Sequence, residues 1–111
     1  MRILFVENHR VFAEIVADRF LYDLIVEQVS TLADAKRSLR HCSFDCVLLD
    51  YDLDDGKGDE VLHWLRARGT SVRVIAISGR PEGNAALVRA GADEVCPKGD
   101  FSQLRAQLGL G

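Results

Sequence analysis

The sequence has few cysteines and no long hydrophobic run, and each shortage excludes a class of protein. Its 3 cysteines, Cys42, Cys46 and Cys96, are odd in number and form no C-x-x-C pair. We therefore expect buried thiols in a reducing compartment, not a disulfide framework or a zinc site. No apolar run approaches the roughly 20 residues of a membrane span. The chain reaches Glu7 after a short apolar run, which excludes a signal peptide. These observations predict a cytoplasmic protein without a membrane partner.

The sequence also lacks an excess of positive charge. It has 14 lysines and arginines against 17 acids, a net charge of -3. A basic surface for direct contact with nucleic acid is therefore not expected. Hydrophobic residues make up 48% of the chain and the mean hydropathy is +0.01, which is typical of a globular protein. Its length predicts one domain over residues 1–111.

The acids are concentrated in one part of the chain. Seven of the 17 are Glu7, Asp50, Asp52, Asp54, Asp55, Asp59 and Glu60. Without them, 14 bases face 10 acids, so the remainder of the chain carries about +4. The fold must therefore explain why Glu7 belongs with acids that lie far from it in sequence.

Strand-like and helix-like segments alternate along the whole chain. Apolar runs predict strands over 2–6, 24–29, 44–50, 72–77 and 94–97. Apolar residues at helical spacing predict helices over 9–21, 31–41, 61–69, 81–90 and 101–108. Thr31 is the predicted N-cap of the second helix, and Gly69 and Gly91 the stops of the third and fourth. This alternation predicts an α/β fold: a doubly wound parallel sheet of five strands with helices on both faces.

The character of each strand predicts its place in the sheet. The first, third and fourth are the most continuously apolar and should be central. The second contains Glu27 and Gln28, and the fifth is short and contains Pro97, so both suit an edge. The predicted order is therefore 2-1-3-4-5. Ligands of such sheets bind where the order reverses, at the carboxyl ends of the first and third strands.

The residues that follow these strands form a chemically coherent set. They are Glu7 and Asn8 after the first strand, Asp50 and Asp52 after the third, Ser78 and Gly79 after the fourth, and Lys98 after the fifth. Carboxylate and amide oxygens suit Mg²⁺, whereas a hydroxyl and an ammonium hold phosphate oxygens. Together these groups favour phosphoryl transfer, with the central carboxylate of Asp50 as nucleophile.

Four motifs in this order resemble the receiver domain of two-component response regulators, a flavodoxin-like fold. They are residues 3–9, 46–50, 74–79, and 90–93 followed by Lys98. The resemblance implies that Asp50 accepts a phosphoryl group from a phosphohistidine of a histidine kinase or histidine phosphotransfer protein. It implies Mg²⁺ held by Glu7, Asn8, Asp50 and the backbone carbonyl of Asp52. Ser78 would be the switch hydroxyl, Gly79 a phosphate contact, and Lys98 the partner of the phosphoryl group.

The resemblance also implies a signalling domain that binds a downstream protein partner and catalyses only its own phosphotransfer and dephosphorylation. Several positions depart from the family pattern, among them Gly99, which follows Lys98 where proline is usual. Asn8 stands where a second acid is usual, which lowers the expected affinity for Mg²⁺. Asp54 replaces the usual proline, and Val95 occupies the position of an aromatic switch residue. These departures predict an atypical receiver.

Other interpretations of the same residues remain open. The chain could be a pseudo-receiver, a protein-interaction module that works without phosphorylation. Residues 50–54 superficially match a calcium loop, but Val61 stands where a bidentate glutamate is needed. They also resemble the nucleophile motif of haloacid-dehalogenase-like phosphatases, which opens the first strand of a longer chain. Individually, Asn8 could be an N-cap, and Ser78-Gly79 a simple turn.

Overall fold

Short apolar segments that are buried on both sides form the centre of the sheet. The computed structural model describes residues 1–111. In β1 (Arg2–Val6) and β3 (Cys46–Leu49), every residue except Arg2 is at most 2% exposed. Such continuous burial requires helices on both faces of a sheet, because neither face can be left to solvent. These two strands are therefore central, as the sequence predicts.

The remaining elements follow in chain order. The helices are α1 (Arg10–Phe20), α2 (Leu32–His41), α3 (Asp59–Ala67), α4 (Pro81–Ala90) and α5 (Leu104–Gln107). The remaining strands are β2 (Ile25–Val29), β4 (Asp52–Leu53), β5 (Gly56–Lys57), β6 (Arg73–Ala76) and β7 (Glu94–Val95). None of the helices is both long and apolar enough to cross a membrane.

The main sheet has the order β2-β1-β3-β6-β7, and all of its pairings are parallel. This is the predicted order 2-1-3-4-5, because β4 and β5 lie outside the main sheet. The order reverses between β1 and β3, where Val6 pairs with Leu49. The next residues, Glu7 and Asp50, therefore leave the sheet at the same edge. This arrangement places Glu7 beside acids that are more than forty residues away in sequence.

Side chains alternate between the two faces of the sheet, and each face has its own hydrophobic core. One core joins alternate residues of β1 and β3, among them Leu4 and Leu49, to helices α2, α3 and α4. The other joins Ile3 and Leu48 to helix α1 and the chain around α5, including Phe101. The two cores cover both faces of the sheet, so the fold is doubly wound as predicted.

The predicted helix ends agree with the structure where capping chemistry is specific. The Thr31 side chain accepts a hydrogen bond of 3.0 Å from Asp34 N and so caps α2. Gly91 ends α4 with a φ of 118°, a left-handed conformation that glycine adopts without strain. The shortest helix, α5, covers only part of the predicted 101–108, since residues 102–103 form a turn in which the Asp100 side chain accepts hydrogen bonds from Ser102.

Two features differ from the sequence analysis. It predicts no element between the third strand and the third helix, but the loop after β3 contains a small antiparallel hairpin of β4 and β5, in which Asp52 pairs with Lys57. The alternation of polar and apolar residues in this hairpin is too short to indicate strands from the sequence. Cys42 was expected to be buried with Cys46 and Cys96, but it is half-buried, because it follows the last turn of α2 at the edge of a core.

The hairpin returns so closely to the end of β3 that only glycine fits at residue 58. Gly58 N donates a hydrogen bond of 2.6 Å to Tyr51 O. A Cβ at this position would lie 2.0 Å from Asp50 O, which is a backbone atom that cannot rotate away. The φ of Gly58 is -61°, so space and not backbone conformation excludes a side chain. Gly58 therefore sets how close the hairpin lies to Asp50.

We expect Gly58→Ala to lower the free energy of unfolding by about 1–3 kcal/mol, because the methyl group must displace the Asp50 carbonyl. Gly99→Ala is the matched control, since a Cβ there meets nothing within 4 Å. It should change stability by less than about 0.5 kcal/mol. Urea unfolding of both variants measures the difference, and equal stability would contradict the close approach at residue 58.

Candidate functional site

Backbone hydrogen bonds between parallel strands bring the predicted site residues to one edge of the sheet. Asp50 N donates to Val6 O at 3.0 Å, and Ile77 N donates to Leu49 O at 3.0 Å. Cys96 N continues the pattern with a bond of 2.8 Å to Ala76 O. The residues that follow these strands therefore emerge side by side. Glu7, Asp50 and Ser78 are all at most 3% exposed there.

Lys98 connects the two buried carboxylates of this edge. Its Nζ lies 2.9 Å from Asp50 Oδ2 and 2.7 Å from Glu7 Oε1. The lysine side chain is itself 21% exposed, so it reaches the buried acids from the rim of the site. Lys98 Nζ also lies over the ring of Phe12, 5.3 Å from the ring centroid. The predicted pair of Asp50 and Lys98 is therefore in direct contact.

The charges of this cluster do not balance. Burial raises the pKa of Asp50, and the nearby carboxylate of Glu7 raises it further, while the hydrogen bond from Lys98 offsets part of the shift. Burial opposes the charge on Lys98, but its hydrogen bonds to Glu7 and Asp50 prevail and raise the pKa of the ammonium. Two carboxylates thus share one ammonium. The cluster carries an excess negative charge that favours a further cation.

Asn8 does not cap α1. The N-cap position of that helix is His9, and no side chain accepts a capping hydrogen bond there. Instead, Asn8 Nδ2 donates to Asp54 Oδ1 at 3.3 Å, and Asn8 Oδ1 is buried without a hydrogen-bond partner. Glu7 Oε2 accepts a bond of 3.0 Å from His9 N. The amide oxygen of Asn8 is therefore an unused acceptor beside the acidic site.

Ser78 lies at the neighbouring strand end and is held there by its own loop. Its Oγ accepts a hydrogen bond of 3.1 Å from Arg80 N, and it makes no hydrogen bond to Asp50 or Lys98. The side chain of Asn84 bonds both backbone groups of Ser78: Oδ1 accepts from Ser78 N at 2.8 Å, and Nδ2 donates to Ser78 O at 3.0 Å. The Ser78 hydroxyl thus makes a turn-type bond within its own loop, at the strand end next to Asp50.

Two residues of the α4 start were missed by the sequence analysis. Asn84 is a polar residue only 7% exposed within the apolar face of α4, which was the available signal. Gly83 has no Cβ, and one would lie 2.4 Å from Ser78 Oγ. The absence of a side chain at residue 83 gives the Ser78 hydroxyl its space. Asn84 and Gly83 therefore position the loop that carries the predicted hydroxyl.

The side chain of Asp52 points to cations and away from the buried pair. Arg80 makes a bidentate contact with it, in which Nε donates to Oδ2 at 3.0 Å and Nη2 donates to Oδ1 at 3.0 Å. Lys57 Nζ donates to its Oδ1 at 2.5 Å, and these cations hold the pKa of Asp52 below its usual range. The carboxylate of Asp52 is therefore occupied by cations, which is compatible with the resemblance because that implied the backbone carbonyl of Asp52 as the ligand. Arg80 was not predicted.

A further acid of the cluster fastens the hairpin to α2. Asp55 Oδ1 accepts from Leu32 N at 2.7 Å, and Oδ2 accepts from Ala33 N at 3.2 Å. These bonds satisfy amide groups of the first turn that have no partner within the helix. Burial opposes the charge of Asp55, but these amides lower the pKa of its carboxyl. Asp55 is thus a structural residue and not a ligand.

Gly79 lies beside the lysine, where a Cβ would be 3.6 Å from Lys98 Cδ. An added methyl group would make only ordinary van der Waals contact with the lysine side chain, so a side chain at this position would not clash. Gly79 is exposed, which leaves its backbone accessible beside Lys98. The structure thus brings the loops of Ser78, Gly79 and Lys98 together next to Asp50.

The oxygen atoms of this edge fit Mg²⁺ better than they fit a softer metal. No three histidine, cysteine, aspartate or glutamate side chains come together as a ligand group. The set consists of the carboxylates of Glu7 and Asp50 and the partnerless amide oxygen of Asn8. Mg²⁺ prefers oxygen ligands and retains several waters, so it needs no further side chain.

Comparison with known proteins identifies the family. The model of the response regulator receiver domain matches residues 3–108. The chain belongs to this family. The resemblance predicted from the four motifs is confirmed, and the chain is a receiver domain of two-component response regulators. Receiver domains interact with histidine kinases or phosphotransfer proteins and act as phosphoacceptors. No curated protein matches the sequence.

Solved receiver structures share the fold at low sequence identity. TrrA from Thermotoga maritima, determined with Mg²⁺-BeF, is 20% identical, with a TM-score of 0.87 over 97% of this chain and 96% of its own. The receiver domain of a Francisella response regulator is 16% identical, with a TM-score of 0.86 over 97% and 93%. A CheY-like receiver from Methanospirillum hungatei is 21% identical, with a TM-score of 0.85 over 97% and 90%. The flavodoxin-like receiver fold is therefore confirmed.

We expect Asp50→Asn to raise the free energy of unfolding by about 1 kcal/mol at neutral pH, because it removes one of two buried carboxylates that share Lys98. A carboxyl whose pKa is raised by folding destabilises the native state when ionised. The advantage of the variant should therefore shrink as the pH falls from the raised pKa towards 3.8. Thermal unfolding between neutral and acid pH measures this difference.

Asp18→Asn is the control for this prediction, since Asp18 is exposed and has no hydrogen-bond or ion-pair partner. It should change stability by less than about 0.5 kcal/mol. A destabilised Asp50→Asn protein would show that the bond from Lys98 outweighs the repulsion between the carboxylates.

Proposed function

We propose that this receiver domain accepts a phosphoryl group on Asp50 from a phosphohistidine and thereby switches a protein-interaction surface. The observation that carries the proposal is the contact of 2.9 Å between Asp50 Oδ2 and Lys98 Nζ at the carboxyl edge of the sheet. A buried carboxylate with a raised pKa and a cationic partner is typical of a functional group. Ser78, the predicted switch hydroxyl, lies at the adjacent strand end and completes the set of predicted phosphoryl-binding groups.

In the proposed transfer, an oxygen of the Asp50 carboxylate attacks the phosphorus atom. A new P–O bond forms, the P–N bond to the donor histidine breaks, and the electron pair leaves with the imidazole, which takes up a proton. Such transfer needs mainly positioning and charge neutralisation. Lys98 contacts Asp50 already and is placed to pair with the phosphoryl oxygens. The backbone of Gly79, exposed beside Lys98, is placed to contact the same oxygens.

Mg²⁺, when bound, would supply positive charge that offsets the phosphoryl group and the acids around it. Glu7, Asn8 and Asp50 would hold it, together with the backbone carbonyl of Asp52. Support comes from the unbalanced carboxylates on Lys98 and from the buried oxygen of Asn8 that lacks a partner. Because Asn8 is neutral, the proposed affinity is lower than that of a site with three carboxylates.

The proposed switch is a movement of the Ser78 hydroxyl towards the new oxygens. Ser78 Oγ would exchange its bond with Arg80 N for one with the phosphoryl group. Since the backbone of Ser78 is hydrogen-bonded to the side chain of Asn84, this movement would displace the start of α4. A downstream protein that reads α4 and β7 would sense it. We propose no reaction beyond phosphotransfer and slow dephosphorylation of Asp50.

The alternative is a pseudo-receiver that binds partners without phosphorylation. Two observations favour it: the charge of Asp50 is already shared with Lys98 in a site where Asp50 is 3% exposed, and Asn8 supplies no second charge for a metal. Under this alternative Asp50, Glu7 and Lys98 would act only as a structural ion cluster. The two functions differ in whether Asp50 is labelled.

We expect acetyl phosphate with millimolar Mg²⁺ to add a phosphoryl group to the wild-type protein and not to Asp50→Asn, because only the carboxylate can attack. Intact-protein mass spectrometry detects the added phosphoryl mass, and hydroxylamine should remove it as an acyl phosphate. Asp54→Asn is the control, since Asp54 is exposed in the same loop, and it should be labelled. An unlabelled wild-type protein would favour the pseudo-receiver.

We expect Asn8→Asp to strengthen Mg²⁺ binding by about tenfold, or ~1.4 kcal/mol, because it adds a charged ligand to the site. Isothermal titration of the wild-type and variant proteins with MgCl₂ measures the change. Asp54→Asn again serves as the control, since it alters only the partner of Asn8 Nδ2. Unchanged or weaker binding by Asn8→Asp would place the metal elsewhere.

A further inference from the structure

An aromatic ring of α1 lies against the lysine of the candidate site. Lys98 Nζ is 5.3 Å from the centroid of the Phe12 ring, a distance at which the electron-rich face of a ring attracts a cation. Phe12 belongs to the first turn of α1, where it is half-buried and packs against the hydrophobic core. It has no role in the transfer proposed above.

Phe12 is also part of a row of three rings that attaches the lysine loop to α1. Phe101 is 6% exposed, and its ring centroid lies 5.8 Å from that of Phe12 and 6.1 Å from that of Phe20. Tilted rings at such distances attract one another. Phe101 follows Lys98 by three residues, so the row fixes the end of the loop that carries the lysine. Phe12 therefore contacts this loop twice, at the ring of Phe101 and at the ammonium of Lys98.

The backbone of this loop gives the lysine little support of its own. Lys98 and Gly99 form a turn that is closed by a hydrogen bond of 3.0 Å from Asp100 N to Pro97 O. Gly99 is exposed, and a Cβ there would meet nothing within 4 Å. Glycine also leaves the chain flexible directly after Lys98, where the family usually has the more rigid proline. The position of the ammonium therefore depends mainly on contacts of the lysine side chain.

These contacts differ in kind. Lys98 Nζ pairs with Glu7 Oε1 at 2.7 Å and with Asp50 Oδ2 at 2.9 Å. The second of these contacts changes in the proposed transfer, because the Asp50 carboxylate becomes an acyl phosphate and the ammonium moves to phosphoryl oxygens. The attraction to the ring of Phe12 uses none of the three hydrogen-bond donors of the ammonium. It can therefore persist while the hydrogen-bond partners of Lys98 change.

We propose that Phe12 is a positioning residue for Lys98: its ring holds the ammonium beside Asp50 while the lysine exchanges a carboxylate oxygen for the oxygens of the incoming phosphoryl group. This inference rests on the proposed transfer to Asp50. The ring acts only through Lys98 and takes no part in the bond changes. An aliphatic side chain would fill the same space but would lack the electron-rich face that attracts the ammonium.

Leucine substitutions separate the ring of Phe12 from its apolar volume. Phe12→Leu keeps an apolar side chain but removes the aromatic face, whereas Phe12→Tyr keeps the ring. Phe20→Leu is the matched control, because Phe20 lies on the same helix and also packs against Phe101, but the cation over its ring is Arg19 and not Lys98. Each leucine variant removes one ring of the row, so a loss of packing alone would affect both alike.

Proton chemical shifts of the ¹³C-lysine-labelled protein test the contact without Mg²⁺ or a phosphodonor. The spectrum is simple, because the lysines of the chain are Lys36, Lys57 and Lys98. Protons above the face of an aromatic ring resonate upfield, so the Hε signals of Lys98 should lie upfield of those of Lys36, which pairs with Glu60. Phe12→Leu should remove this difference, and Phe12→Tyr and Phe20→Leu should retain it. Unmoved Lys98 signals in Phe12→Leu would overturn the proposal.

The rate at which acetyl phosphate with Mg²⁺ labels Asp50 tests the role of the ring. We expect Phe12→Leu to be labelled about three- to tenfold more slowly than the wild type, and Phe12→Tyr and Phe20→Leu to stay within about twofold of it. Equal rates for the two leucine variants, with the wild type labelled, would overturn the role of Phe12 and leave the proposed function intact. An unlabelled wild-type protein would contradict the proposed function itself, and with it the inference.

Discussion

The sharing of one ammonium by two buried carboxylates is the interaction on which the candidate site depends. Lys98 comes from the loop after the edge strand β7, whereas Glu7 and Asp50 follow the central strands β1 and β3. The contact therefore ties three strand ends together across the sheet. It also leaves a net negative charge in a poorly solvated place. The same arrangement that holds the loops together thus creates the demand for a further cation and sustains the raised pKa of Asp50.

The sheet was predictable because burial on both faces leaves a clear mark in sequence. The runs in β1 and β3 are apolar throughout, and the polar pair of β2 marks an edge. Helix ends were predictable where a particular residue is required, as at Thr31 and Gly91. The hairpin of β4 and β5 was not, since each strand has only two residues and its pairing depends on contacts with distant elements. Gly58 matters there because of a tertiary approach that no local pattern reports.

The candidate site likewise contains residues that the sequence predicts and residues that it does not. Residues that leave strand ends, such as Asp50 and Lys98, follow from topology, since parallel strands deliver them to one edge. Residues that only orient others do not. Asn84 looks like an interruption of an apolar helix face until its two bonds to Ser78 are known. Arg80 looks like an ordinary surface arginine until Asp52 is found opposite it. Their roles depend on pairings across 6 and 28 residues that the sequence does not encode locally.

The hairpin beside Asp50 is attached to the rest of the molecule at two points of different physical character. At one end, Asp55 accepts hydrogen bonds from backbone amides at the start of α2. At the other, Asp52 and Arg80 form an exposed ion pair between long side chains. Dissolved salt weakens the second attachment far more than the first, because exposed charges are screened and amide geometry is not. Raised ionic strength should therefore weaken the attachment of the hairpin to Arg80 at the start of α4 more than its attachment to α2.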